Sequence, residues 1–176
     1  MERGRKESVE KSGELMGLPF VFIISLIIAA IIVIFAVMTI KNFTCRGEQV
    51  AINVFVSDFK SEVEKSFYTT RGSQTIFRGT LPNKGCARVE EVCLGFPDEA
   101  RSAQFKNDEI WFEISAYKGQ NKNLFLYPRD SLQEVGVQQA YKIPLLNVTQ
   151  NPLCFQSGSV EIVLKNEGKY VNVLKK

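Results

Sequence analysis

The residues best equipped for chemistry are four cysteines, Cys45, Cys86, Cys93 and Cys154. No pair has the close C-x(2–4)-C spacing of a zinc site and the 176-residue chain has no histidine, so no metal is expected. The absence of C-x-x-C spacing also argues against a thiol oxidoreductase built on Cys86 and Cys93. An even count, all lying after a long apolar run, reads as disulfides formed in an oxidising compartment. Buried free thiols are the plainer alternative, because free cysteine packs as a small hydrophobe. Four cysteines allow three pairings, and sequence does not choose among them. The short loop favours Cys86 with Cys93. Cys45 with Cys154 would then tie a membrane-proximal stalk to the domain.

Other catalytic constellations are missing. Without histidine there is no Ser-His-Asp or Cys-His arrangement. Neither the phosphate-loop pattern nor the G-x-G-x-x-G fingerprint occurs. The carboxylate pairs Glu90-Glu91 and Asp108-Glu109 fall in segments that read as strands, where neighbours point to opposite faces. Trp111, Phe125 and Tyr127 could form an exposed aromatic patch, although core packing is the commoner use of such residues. The chain thus reads as non-catalytic, with no cofactor. A net charge of +3 is too small to argue for nucleic acid. Asn42-Phe43-Thr44 and Asn147-Val148-Thr149 match the glycosylation acceptor pattern, making Asn147 and Asn42 candidate modification sites.

The element that must place all of this is an apolar run. Leu15 to Ile40 carries no charge, and Ser25 and Thr39 are its only hydroxyl side chains. A helix needs about 20 residues to cross a bilayer core of about 30 Å. The run is apolar on every face, unlike a helix packed on a soluble core. It also exceeds the roughly 7–15 apolar residues of a cleaved secretory signal, and no Ala-x-Ala lies near its end. The expectation is a single-pass anchor in the cell membrane, with the lipid bilayer as first partner. Arg3, Arg5, Lys6 and Lys11 before the run outnumber the basic residues close behind it, which places the N-terminus in the cytoplasm and the C-terminal domain outside.

The remaining organisation follows from periodicity. Residues 1–14 read as a polar tail or leader, 15–41 as the transmembrane helix, 42–72 as a membrane-proximal amphipathic helix and 73–176 as a β-rich extracytoplasmic domain. Val50, Val54, Phe55, Phe59, Val63 and Phe67 recur at helical spacing, with Gly47 as a break or bend before them. Strands are expected over Thr75–Leu81, Val89–Phe96, Glu109–Tyr117 and Asn123–Tyr127. A short helical turn is expected near Asp130, and Ile143–Val148 reads as strand or loop. Val160–Lys165 and Lys169–Leu174 flank Asn166-Glu167-Gly168 as a hairpin. The fold class is α+β, with the amphipathic helix packed on a C-terminal antiparallel sheet.

This layout resembles type IV pilins and pilin-like proteins. The run Gly13-Glu14-Leu15-Met16-Gly17-Leu18-Pro19-Phe20, leading into an Ile-rich helix, is similar to the archaeal class III signal and to small single-span archaeal membrane proteins. The resemblance implies cleavage between Gly13 and Glu14, and self-association of subunits through the N-terminal helix. It implies a structural or accessory role in a surface filament or secretion apparatus. A permanently tethered extracytoplasmic domain that binds an unidentified ligand is the alternative.

Overall fold

The computed structural model describes the backbone of residues 7–175 and the side chains of residues 20–175. The expected leader 1–14 and its Gly13–Glu14 junction fall outside the described side chains. The chain divides into two compact units, with the boundary between Phe43 and Thr44.

One helix, α1 (Glu7–Phe67), contributes to both. Its residues 20–40, in the first unit, are apolar on every side and nearly all exposed. This is a helix long and apolar enough to cross a membrane. Its two hydroxyls are already satisfied. Ser25 Oγ donates to the Phe22 carbonyl and Thr39 Oγ1 to the Phe35 carbonyl, both at 2.8 Å. Neither therefore adds an unpaired polar group to a segment suited to lipid. The expected break at Gly47 does not occur, because α1 continues through it. One glycine costs a helix only about 1 kcal/mol relative to alanine. Packing on both sides of Val54 in sequence offsets that: Ile52, Phe55 and Phe59 are all buried.

The second unit sets residues 44–67 of α1 against two four-stranded sheets. The strands are β1 (Gln74–Leu81), β2 (Glu91–Leu94), β3 (Leu124–Tyr127), β4 (Ala140–Tyr141), β5 (Leu146–Val148), β6 (Leu153–Gln156), β7 (Gly158–Asn166) and β8 (Val171–Leu174). Two short helices, α2 (Asp108–Ser115) and α3 (Arg129–Glu134), lie among them in sequence. One sheet has the order β1-β7-β8-β5 and the other β4-β3-β2-β6. All pairings are antiparallel except that of β5 with β8. The α+β class therefore holds, with a mixed sheet where a purely antiparallel one was expected.

The main core joins Ile52, Phe59 and Val63 of α1 to strand residues such as Leu81, Ile162, Leu164 and Val173. Phe55, Phe59 and Phe77 form a three-ring contact between helix and sheet, with centroid separations of 5.1–6.4 Å. Close approach there requires Gly79, since a Cβ would lie 2.5 Å from the Phe55 ring. The expected stripe needs correction. Val50 and Val54 are 60% and 51% exposed, and the buried row is Ile52, Phe55, Val56, Phe59 and Val63. Steps of three and four both lie on one helix face, so apolar spacing alone admitted two overlapping rows. The sheets cover the part of the stripe that holds Phe55, Phe59 and Val63 and extend it to Ile52 and Val56, leaving Val50 and Val54 outside.

The second correction concerns Glu109–Tyr117, which forms most of α2 and the turn after it where a strand was expected. Ile110 and Ile114 satisfy either period, and Phe112 discriminates: it is 77% exposed, whereas a strand would bury it beside them. The helix start is well made. Asn107 Oδ1 accepts from the Ile110 N–H at 3.2 Å, and Asp108 and Glu109 occupy the first turn. The other expected strands fall close to their observed places, whereas β4 and β6 have no counterpart among the expected elements. The C-terminal hairpin is secured by buried Asn166. Its Nδ2 donates to the carbonyls of Phe67 and Thr69 at 2.9 and 2.8 Å, and its Oδ1 accepts from Gly168 at 2.7 Å.

Candidate functional site

All four cysteines are bridged, as Cys45–Cys86 and Cys93–Cys154. The preferred pairing of Cys86 with Cys93, and with it that of Cys45 with Cys154, is wrong. Cys93 lies inside β2, directly opposite Cys154 of β6 in the ladder. Ser157 N–H donates to the Glu90 carbonyl, so by alternation the Cys93–Cys154 pair is not mutually hydrogen-bonded and its side chains approach closely. Their Cα atoms are 4.0 Å apart. Cys86 lies in the loop after β1, where Cys45 of α1 meets it with a Cα separation of 5.3 Å. A short loop is a local argument, and strand register outweighed it. Glu48, one turn after Cys45, adds a second clasp on the same loop, where its carboxylate accepts from the Ala87 N–H at 2.8 Å. Sequence reading missed this residue.

Beside the second bridge lies the richest collection of polar groups. On the face of β2 and β3 opposite the main core, Ile110 and Ile114 of α2 pack with Cys93, Phe125 and Ala140. Half-buried Trp111, Tyr117 and Tyr127 close around them, so Trp111, Phe125 and Tyr127 belong to a core and not to an exposed patch. Because α2 is a helix, Glu109 and Glu113 share a face. The Tyr117 hydroxyl donates to Gln139 Oε1 at 2.9 Å, and Gln139 Nε2 donates to Glu113 Oε2 at 2.7 Å. Burial raises the Glu113 pKa, while Gln139 and the charge of Arg129 pull it down. The Tyr127 hydroxyl is pushed up to about 12, by burial first and then by its hydrogen bond to Glu109 and by the surrounding carboxylates. These influences favour its neutral, proton-donating form.

Next to this network is an open basin of about 420 Å³, lined by Tyr117, Arg129, Gln133 and residues 136–139. Its side chains offer one guanidinium, several carboxamides and a phenol ring. Such groups can hold a polar ligand by hydrogen bonds. A second depression of about 560 Å³ is lined by Glu91, Cys154, Phe155, Gln156, residues 159–161 and Lys175. Burial raises the Glu91 pKa, the Glu90 charge adds to this and Lys175 opposes it. A carboxylate oxygen of Glu91 and the sulfurs of Cys93 and Cys154 lie within 4.8 Å of one another. Both sulfurs belong to the disulfide, so no thiolate is available there to bind a metal.

The remaining candidates are scattered. Asn42 is exposed on α1. Asn147 is half-buried in β5, and the hydroxyl of its acceptor partner Thr149 already donates to the Val173 carbonyl at 3.3 Å. No protein-family model, curated protein or solved structure matches this chain.

Proposed function

We propose that this protein is a membrane-anchored, non-catalytic pilin-like subunit of a surface filament or secretion apparatus. The supporting observation is the two-sidedness of α1 in the second unit. One face is buried on the sheets, while Gly47, Val50, Val54, Ser57 and Ser61 form an exposed, uncharged row at steps of three and four. That spacing suits a seam between neighbouring helices, and small residues permit close approach. The apolar helix before it supplies the anchor, and cleavage after Gly13 would release the subunit for assembly.

The test is the intact mass and first residue of the protein isolated from its native membrane, without reductant. A chain starting at Glu14 supports prepilin-type processing. A chain starting at Met1, together with a monomeric state in the membrane, overturns the reading. The double variant Val50→Glu/Val54→Glu should abolish association through α1 while leaving the sheets folded. The basin beside Tyr117 and Arg129 favours the second reading, a tethered domain that binds a polar ligand. A subunit that stays uncleaved and crosslinks to an unrelated partner would put that reading ahead.

A further inference from the structure

We infer that the free edge of β1 pairs antiparallel with β1 of a second copy of this chain, joining two sheets into one. This does not depend on the pilin-like reading, which concerns α1.

The argument begins with the ladder. Asn166 donates its N–H to the Ser73 carbonyl at 3.0 Å and accepts from the Gly72 N–H at 2.7 Å. Its backbone groups therefore face the β1 side. Along an antiparallel strand this direction alternates. Residues 164, 162, 160 and 158 of β7 consequently face residues 75, 77, 79 and 81 of β1, their register partners. Gln74, Ile76, Arg78 and Thr80 must then direct their N–H and C=O groups away from β7. β1 is the outer strand of its sheet. Among the described residues, no second strand lies beside β1 to meet those four positions.

Edges of this kind are normally blunted by brevity, proline, bulges or charge. The other outer strands are short: β4 has two residues, β5 three and β6 four. β1 has eight, in unbroken register with β7, and contains neither proline nor lysine. Its outward side chains are all exposed, Ile76 by 48%. Its one charge is engaged within the sheet, where Arg78 Nε donates to Glu161 Oε1 at 2.8 Å.

A second copy fits this edge because β1 carries a single charge, Arg78, which pairing about Phe77 sets against an apolar residue and not against its own kind. A two-fold axis there sets Gln74 against Thr80 and Ile76 against Arg78 of the other copy, and all four open positions find a counterpart. Ile76 would cover the aliphatic stem of Arg78, whose guanidinium keeps its carboxylate. A two-residue shift that centres the axis on Arg78 instead sets arginine against arginine, which repels.

Amide exchange on the full chain in detergent micelles provides the test, at low and high protein concentration. The amides of Gln74, Ile76, Arg78 and Thr80 should exchange about tenfold or more slowly at high concentration, as newly bonded groups do. Ile76→Lys should remove that protection by setting an ammonium group against Arg78 of the other copy. Ile76→Pro should do the same by deleting an N–H that the β7 ladder does not use. Exchange rates independent of concentration overturn the proposal, and so does protection that survives both variants. Val50→Glu/Val54→Glu separates the two ideas. Edge protection should persist in that variant even where association through α1 is lost. Protection that disappears there, yet resists Ile76→Lys, also overturns β1 pairing.

Discussion

Residues 20–43 and 44–67 belong to one helix yet obey different rules. In the first stretch nearly every large apolar side chain is exposed, from Ile24 at 41% to Phe35 at 71%. In the second, the apolar residues are divided between a buried face and an exposed one. Backbone geometry is the same in both, so the difference lies in what surrounds the helix. A uniformly apolar surface is stable in lipid, where the backbone is already satisfied internally. In water the same helix needs a sheet to cover one face. Apolar residues left uncovered in the second stretch, Val50 and Val54, therefore carry more information than any of those in the first.

The largest test of this contrast is truncation of one phenylalanine in each stretch. Phe59→Ala empties a fully buried site among three rings and should destabilise the second unit by about 3–5 kcal/mol, measured by denaturant unfolding in micelles. Phe35→Ala should leave that transition unchanged. Equal effects would erase the distinction.

A charge gives the reverse test. Ile32→Lys should disfavour membrane insertion by about 3 kcal/mol, read as the inserted fraction in a translocation assay, because the site is in the uncharged run. The same measurement on Ser57→Lys should show little change.

Capping yields a smaller effect. Asn107→Ala should cost about 1 kcal/mol of stability by leaving the first turn of α2 without its side-chain acceptor. Asn107→Asp should retain most of it.

The smallest effect is pH dependence, which should arise in the second unit, since residues 20–40 contain no ionisable side chain. Burial raises the Glu91 pKa, so between its unfolded and folded values the folded chain holds more protons than the unfolded one. Stability therefore falls as pH rises through that window, just above the ordinary carboxylate range. Glu91→Gln should match the wild type below the window and gain relative to it above. A parallel pH profile in both proteins would show that Glu91 is not the cause.

Much of the second unit could be read in advance where local chemistry was unambiguous. Asn166-Glu167-Gly168 marked a hairpin, and alternation over Val160–Leu164 marked β7. The misreadings share a cause. Ile110 and Ile114 are two turns of a strand or one of a helix, and only the solvent-facing Phe112 separates these cases. Cysteine pairing is likewise non-local, because Cys93 meets Cys154 through a ladder spanning 61 positions of sequence. The Tyr117–Gln139–Glu113 chain of hydrogen bonds carried no signal at all. Its members become neighbours only when α2 folds onto β3 and β4.

Composition by itself determined that one segment can cross a membrane, because transfer into lipid depends on residue type summed along a helix and not on any partner. Residue order by itself marked the α+β class, since apolar periods of about four and two are written locally. Tertiary structure decided which face of α1 is covered, which cysteines meet and which strand lies at the edge of its sheet. Those are properties of pairs of distant residues. Burial energies that differ little along the chain become decisive only when the sheets select one register among several.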